Sequence, residues 1–234
     1  MTGPPHDDAA SPAGAPNGGP ALGWWPIVLV ATTLAVSLTA FAVVLQRSAP
    51  SRPSGLGHDL GDAVTVLPVP LEIPLFALTD HTGARFDESR LSDRWSFLFF
   101  GYTSCPDVCP ITLGALRDMH GLLGESELSD VQVVFVSVDP ERDSLDRLGR
   151  YVPHFDPAFL GATGEEEQID RLAVAIGVYH ARADEGSESG YLVDHTSAVF
   201  LVDPSSQLRA VFPAPHEPGA MTDAFRRIRA MPGP

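Results

Sequence analysis

The spacing of hydrophobic residues changes along this chain between two patterns, and each pattern predicts a type of element. Residues 95–103, WSFLFFGYT, and residues 131–139, VQVVFVSVD, are two nearly continuous apolar runs. Runs of this length are typical of strands that are buried on both faces of a sheet. Between them, apolar side chains recur at positions 111, 113, 116, 119 and 122, close to the helical period. The pattern therefore predicts a strand, a helix and a second strand.

The remaining elements continue this alternation of strands and helices. Asp139, Pro140 and Glu141 are predicted to open a helix, because Asp is a favoured N-cap, Pro fits the first turn and an acid complements the helix dipole there. The other predicted elements are two short strands within 74–89, a helix over 165–176 closed by Gly177, a hairpin over 196–212 and a helix over 218–231. This order predicts an α/β domain with three layers around a mixed central sheet.

The N-terminal part of the chain has a different character. Residues 1–23 are rich in Pro, Gly and Ala, and such a tail buries too little apolar surface to fold. Residues 24–45 carry no charge, and a helix of that length reaches about 33 Å, enough to cross the hydrocarbon core of a bilayer. We therefore predict a disordered tail, a transmembrane helix over 24–45, a linker over 46–64 and one folded domain over 65–234.

A cleaved signal peptide is the alternative for the apolar run. It fits less well, because no Arg or Lys precedes the run and the run is longer than a typical signal-peptide core. The orientation of an anchor is ambiguous from charge. Arg47 and Arg52 follow the span, and the positive-inside rule would place the domain in the cytoplasm, but large domains cross membranes largely regardless of charge.

Net charge narrows the classes of partner. The chain has 30 acidic and 15 basic residues, all of the latter Arg, for a net charge of −15. Nucleic-acid binding needs a basic face that displaces counterions, so this class is excluded. The acidic residues are spread along the sequence, as on a solvated surface. Docking with a basic partner or attraction of cations is the alternative.

Both cysteines of the chain, Cys105 and Cys109, lie in FGYTSCPDVCP, residues 100–110. The segment follows a central strand, where open α/β sheets place their sites. Because Pro110 has no N–H and fits only in a first helical turn, we expect the helix to begin near Asp107 or Val108. Cys105 then lies in the loop and Cys109 in the first turn, where free backbone N–H groups lower the pKa of thiols.

Two structural explanations compete with a reactive cysteine pair. A disulfide bond over so few residues would remove little chain entropy, on the order of 2 kcal/mol, and a stabilising bridge is more useful between distant segments. Two inert buried cysteines are the second explanation, and a loop with Pro and Asp beside the thiols argues against it. Two thiolates alone suit a redox pair, and two thiolates with a third ligand suit a soft metal.

His195 is the candidate third ligand among the eight histidines. It lies at the entry to an apolar strand, with Asp194 beside it. A lone histidine at the start of a strand is more often a structural residue, so the spacing alone leaves its role open.

Three segments resemble the signature segments of the Sco/SenC copper-chaperone family: GYTSCPDVCP, VSVDPERD and VDHTSAVFLVDP, in the family's order. The resemblance covers about residues 70–229. It implies a thioredoxin-like fold with an inserted hairpin. It also implies that copper, as Cu(I) or Cu(II), is bound by Cys105, Cys109 and His195.

The resemblance further implies a partner and a location. Family proteins deliver copper to the binuclear copper-A centre of cytochrome c oxidase, or reduce the cysteines of that centre, so the expected partner is the oxidase subunit that bears copper A. The family's usual layout includes an N-terminal membrane anchor. We therefore expect a single-pass protein of the cell membrane whose C-terminal domain faces the periplasm or the extracytoplasmic side, against the weak charge bias.

Two function classes compete for the cysteine pair. The first is a metallochaperone, and the second is an enzyme, a thiol–disulfide oxidoreductase with Cys105 and Cys109 as its redox pair. Thioredoxin-type reductases normally have two residues between their cysteines, whereas this chain has three, and exchange does not need His195. Both features favour the chaperone, although the same two sulfurs can serve both activities.

Other sites fit the residues less well. A closed structural zinc site normally has four ligands, and only three are expected to converge here. A peroxidase would need an Arg near its cysteine, and none lies in the motif loop. Asp194 is expected to orient the His195 ring as a hydrogen-bond acceptor. Asp139 is a weaker candidate for a role in the site, since an N-cap role already explains it.

Overall fold

The structure is a computed structural model that describes residues 63–187 and 190–231, together with six single positions, Val28, Leu29, Leu34, Ser37, Thr39 and Phe41. The six positions are helical. The rest of the predicted transmembrane segment, the tail and most of the predicted linker lie outside the described residues. Among the residues that are described, no helix is both long enough and apolar enough to cross a membrane.

The described part of the folded region contains ten strands and five α-helices. The strands are β1 (Thr65–Glu72), β2 (Ala77–Asp80), β3 (Arg85–Asp87), β4 (Trp95–Gly101), β5 (Val131–Ser137), β6 (Leu160–Thr163), β7 (His180–Ser187), β8 (Gly190–His195), β9 (Val199–Val202) and β10 (Gln207–Phe212). The helices are α1 (Val108–Gly121), α2 (Glu125–Leu128), α3 (Leu145–Tyr151), α4 (Glu166–Ala175) and α5 (Pro218–Arg229).

Eight of these strands form one mixed sheet in the order β1-β10-β9-β4-β5-β6-β2-β3. Strands β4, β5 and β6 are parallel, and the pairs on either side of them are antiparallel. Among the described strands, β7 and β8 pair only with each other and form a separate hairpin. The mixed sheet confirms the predicted architecture, and the hairpin adds a two-stranded unit beside it.

The two apolar runs form β4 and β5, and both faces of each strand are buried. Successive side chains of a strand point to opposite faces, so β4 divides its aromatic residues between two cores. Phe97 and Phe99 pack against α1, α3 and α5 on one face. Leu98 and Phe100 pack against α4 and the β2–β3 hairpin on the other. This burial fixes the register of β4, and therefore where its C-terminal end presents the next loop.

The prediction of a helix that opens at Asp139 was wrong. Residues 140–142 form a turn, and α3 begins at Leu145 with Ser144 as its N-cap, whose hydroxyl accepts a hydrogen bond from the Arg147 N–H. The Asp139 carboxylate instead accepts a hydrogen bond from Arg142. The helix therefore starts five residues later than the Asp-Pro-Glu signal indicates, at Leu145 instead of Pro140. The Asp139 side chain binds Arg142 and the distant Tyr191 hydroxyl, and these contacts override the local capping preference.

Candidate metal centre

Three elements bring the predicted ligands together at the C-terminal end of the central strand β4. Strand β4 ends at Gly101, and α1 begins at Val108, as predicted from Pro110. Cys105 lies in the intervening loop, and Cys109 lies in the first turn of α1. His195 is the last residue of β8, so the hairpin delivers it from the other side.

The two sulfurs and the imidazole form one compact cluster. The Cys109 Sγ lies 3.3 Å from the His195 Nε2, and the Cys109 backbone N–H donates to the Cys105 Sγ at 3.4 Å. All three ligand atoms lie within 4.8 Å of one another. Both cysteines are free thiols, Cys109 buried and Cys105 partly exposed. Within residues 63–187 and 190–231, no other group of three metal-ligating side chains comes this close together.

The orientation of the His195 ring is fixed by its own backbone segment. Its Nδ1 faces the Thr196 carbonyl oxygen at 3.2 Å, so Nδ1 carries the proton and donates it to that oxygen. The lone pair of Nε2 is then directed at the cysteine sulfurs, as a metal ligand requires. The expectation that Asp194 orients the ring was wrong. Asp194 is exposed, because adjacent residues of a strand point to opposite faces.

The two thiols have opposite electrostatic environments. A hydrogen bond from the Cys109 thiol, together with the backbone N–H groups of Asp107 and Cys109, lowers the pKa of Cys105 to about 4. The same hydrogen bond, with burial and the nearby Cys105 charge, raises the pKa of Cys109. Without a metal, the pair therefore holds a thiolate at Cys105 and a thiol at Cys109. This is the charge distribution that favours Cys105 as a nucleophile and as the first metal ligand.

The cluster is closed on its inner side by aromatic rings and by Gly101. The rings of Phe99 and Tyr102 meet the His195 ring edge to face at centroid distances of 6.0 and 5.9 Å. A Cβ at Gly101 would lie 2.6 Å from the Cys109 Sγ and 2.8 Å from the Phe135 ring, closer than real Cβ contacts. The end of β4 therefore requires a glycine, because the buried sulfur occupies the space that a side chain would need.

Asp143 positions the cysteine loop, a role that the sequence analysis does not predict. Its carboxylate is fully buried and accepts hydrogen bonds from the Thr103 N–H at 2.8 Å, the Thr103 hydroxyl at 2.5 Å and the Ser137 hydroxyl at 2.7 Å. These bonds tie the loop before Cys105 to the end of β5. The available signal was its place at the end of the VSVDPERD segment.

The other five described histidines lie outside the cluster. His154 is exposed and packs its ring against Phe155, and the other four have polar partners. His81 accepts from the Gly161 N–H, His120 and His180 pair with Asp156 and Asp170, and the His216 Nε2 donates to the Ser197 carbonyl oxygen. Asp139 is also outside it, and its carboxylate binds Arg142 and the Tyr191 hydroxyl. The three ligands expected from the resemblance are thus the three side chains that the fold brings together.

Comparisons with known proteins agree with this geometry. The SCO1/SenC family model matches residues 69–230. The mitochondrial protein SCO2 homolog of Bos taurus is 35% identical over 156 residues, which are 66% of this chain and 59% of the bovine protein. The chain therefore spans less than two thirds of that relative's length.

Two solved structures are similar over most of the described domain. Arabidopsis thaliana ScoI with copper bound is 35% identical, has a TM-score of 0.63 and covers 67% of this chain and 96% of its own. Bradyrhizobium japonicum ScoI with copper bound is 29% identical, has a TM-score of 0.60 and covers 68% of this chain and 98% of its own. The similarity to these two structures confirms the thioredoxin-like α/β fold. Together with the family match, it shows that the chain belongs to the SCO1/SenC family.

Proposed function

We propose that this protein is a copper metallochaperone that carries one copper ion on Cys105, Cys109 and His195. The observation that carries the proposal is the convergence of two sulfurs and one imidazole nitrogen within 4.8 Å, with the ring already oriented by Thr196. Thiolates prefer Cu(I) over hard cations, and an imidazole suits copper in either oxidation state. The ScoI structures with copper bound support the assignment of this metal.

The site also suits release of its cargo. Cys105 is partly exposed, whereas Cys109 is buried behind it, so a partner's ligand has access to the metal from the Cys105 side. Among the described residues, the group has three ligand atoms, whereas a closed structural zinc site has four. The protein residues hold the ion, exclude water on the inner side through Phe99 and Tyr102, and leave one face open for exchange.

The proposed recipient is the copper-A-bearing subunit of cytochrome c oxidase, and the proposed location is the outer face of the cell membrane. The target rests on the family resemblance, and the anchor rests on the uncharged run over 24–45. The proposed organisation is a tail over 1–23, the anchor, a linker over 46–64 and the copper-binding domain over 65–234. A reporter that is active only outside the cytoplasm, fused after Pro234, should be active, and activity of a cytoplasmic reporter instead would reverse the orientation.

A thiol–disulfide oxidoreductase is the second candidate, and the charge distribution of the thiols favours it. Exchange needs an attacking thiolate and a resolving thiol, and Cys105 and Cys109 are in these two states. In this alternative the protein would reduce the cysteines of the oxidase copper site. Because both activities use the same sulfurs, cysteine variants cannot separate them.

His195→Ala separates the two functions. The variant should bind copper more weakly but still oxidise and reduce its cysteine pair, since exchange does not use the imidazole. In cells at limiting copper it should fail to support assembly of the oxidase copper centre, with partial rescue by added copper. His154→Ala, an exposed histidine outside the cluster, is the matched control and should behave as the native protein. Normal assembly with His195→Ala, combined with failure of Cys105→Ser and Cys109→Ser, would favour the reductase.

A further inference from the structure

The hairpin that carries His195 is not part of the main sheet. Within the part of the chain that the structure describes, strands β7 and β8 pair only with each other, so no described strand of the sheet holds them in place through a ladder of hydrogen bonds. At its base, the Thr196 N–H donates to the Tyr179 carbonyl oxygen at 2.9 Å, and the Tyr179 N–H donates to the Thr196 hydroxyl at 2.9 Å. Both of these bonds join the two ends of the hairpin to each other and do not attach it to the sheet. Other contacts must therefore fix the hairpin to the edge of the sheet where the cysteines lie.

One such contact is a cluster of Asp139, Arg142 and Tyr191, here called the clasp. The Arg142 guanidinium stacks on the Tyr191 ring at 3.7 Å and donates from Nη1 to the Tyr191 carbonyl oxygen at 2.8 Å. The Tyr191 hydroxyl donates to the Asp139 Oδ1 at 2.6 Å. The Asp139 Oδ2 accepts from the Arg142 Nε. Each member of the clasp thus binds both of the others.

The two charged members of the clasp, Arg142 and Asp139, are mostly buried, so their interactions are worth more than those of a surface pair. The side chains of Arg142 and Asp139 are 17% and 1% exposed. A cation over an aromatic face gains most when it is desolvated, and a buried charge pair is costly to break. Burial and the bond to Asp139 raise the pKa of Tyr191 to about 12, which keeps its hydroxyl protonated as a donor.

Arg142 connects the hairpin to the cysteine loop as well as to β8. Its guanidinium lies 5.4 Å from the centroid of the Tyr102 ring, and that ring meets the His195 imidazole edge to face. Tyr102 is in the loop that leads to Cys105, and Tyr191 is four residues before His195. One side chain therefore contacts both segments that supply the proposed ligands.

We propose that Arg142 and Tyr191 are positioning residues that hold His195 at ligand distance from the two cysteines. The proposal rests on the Cys105, Cys109 and His195 site of the proposed function. If the clasp opens, the hairpin loses its attachment next to β8, and the imidazole moves away from the sulfurs while the cysteine pair stays in place. The clasp then sets which oxidation state of copper is held, since Cu(I) is retained by two thiolates and Cu(II) depends more on the nitrogen donor.

The test compares Arg142→Lys and Tyr191→Phe in the full-length protein, with Arg171→Lys as the control. Lys keeps the charge of Arg142 but not its planar stacking and paired donors, and Phe keeps the ring of Tyr191 but not the bond to Asp139. Arg171 is a surface residue paired with Glu167 on α4. Loss of an outer-shell partner typically weakens metal binding by about 10–100-fold. Arg142→Lys should therefore raise the Kd for Cu(II) by at least about tenfold, Tyr191→Phe by about three- to tenfold, and Arg171→Lys by less than about twofold.

Two readouts distinguish positioning from a general loss of structure. The Kd for Cu(I) should change by less than about threefold in both clasp variants, because the cysteine pair is intact. A two-stranded hairpin that is detached from the rest of the protein is only marginally stable, so the bond between its ends should open more often. In the metal-free protein, hydrogen exchange at the Thr196 amide should therefore become at least about tenfold faster in Arg142→Lys, while exchange in β4 stays unchanged. In a His195→Ala background, Arg142→Lys should have no further effect on Cu(II) binding.

Any one of three results would overturn the proposal. The first is an equal loss of affinity for Cu(I) and Cu(II) in the clasp variants, and the second is unchanged hydrogen exchange at the Thr196 amide. The third is that Arg142→Lys weakens Cu(II) binding as much in the His195→Ala background as in the native protein. If His195→Ala itself leaves Cu(II) binding unchanged, the ligand assignment of the proposed function fails. The exchange experiment on the metal-free protein still decides whether the clasp holds the hairpin.

Discussion

Gly101→Ala is the substitution whose effect the geometry of the site predicts most sharply. The added Cβ would lie 2.6 Å from the Cys109 Sγ and 2.8 Å from the Phe135 Cε2. Ordinary contacts between carbon atoms are about 3.5–4.0 Å, so the sulfur and the ring must each move by about 1 Å. Both Cys109 and Phe135 are fully buried, and neither has open solvent to move into.

Overpacking of this kind costs about 1–3 kcal/mol. A loss of about 2 kcal/mol should lower the Tm of a domain of this size by about 4–8 °C. Because the displaced atom is a proposed copper ligand, copper affinity should fall by more than the stability loss alone explains. The assay is thermal and urea unfolding of the metal-free protein, followed by competition for Cu(I) and Cu(II).

Gly114→Ala provides the matched control in the same helix-and-strand unit. Gly114 is in α1, and a Cβ there meets no atom within 4 Å. Replacing a helical glycine by alanine should stabilise the protein by about 0.5–1 kcal/mol. The two substitutions therefore have opposite predicted signs. Unchanged stability and copper affinity in Gly101→Ala would show that the sulfur does not fill the space behind β4.

The remaining predictions concern the cysteine loop. Alkylation of Cys105 in the native, metal-free protein should proceed at an almost constant rate from pH 6 to 9 and fall about tenfold per pH unit below its pKa of about 4, since only the thiolate reacts. A rate that still rises through pH 7–9 would contradict a thiolate at Cys105, and Cys109 should not be modified in the folded protein because it is buried. Asp143→Ala should destabilise the protein by about 3 kcal/mol in urea unfolding, because the Thr103 N–H and two hydroxyl groups lose their buried acceptor. A loss below 1 kcal/mol would mean that these bonds do not hold the loop.

The sequence predicts the central strands and the ends of several helices because those signals are local. The apolar run over 95–103 requires burial on both faces wherever it lies, and Pro110 can occupy only a first helical turn. The turn over 203–206 is likewise fixed by Asp203, whose carboxylate accepts from the N–H groups of Ser205 and Gln207. Each of these features depends on residues that are close in the chain.

The features that the sequence did not reveal depend on partners that are distant in the chain. Asp139 has the local signature of an N-cap, but its carboxylate binds Tyr191, 52 residues away. In the sequence, nothing distinguishes Asp143 from the other acidic residues, and only the fold shows its bonds to Thr103, 40 residues earlier. The same holds for His195, whose Nε2 meets a sulfur 86 residues away, so its role followed from the family resemblance and not from its spacing.

The most direct test of the account is the copper environment in the full-length protein and in His195→Ala, measured by X-ray absorption at the copper edge under reducing conditions. We expect one copper per chain with two sulfur ligands and one nitrogen ligand in the native protein. The nitrogen ligand should be lost in His195→Ala, and Cys105→Ser and Cys109→Ser should each lose tight binding. An unchanged copper environment in His195→Ala, or full copper binding when both cysteines are replaced, would contradict it.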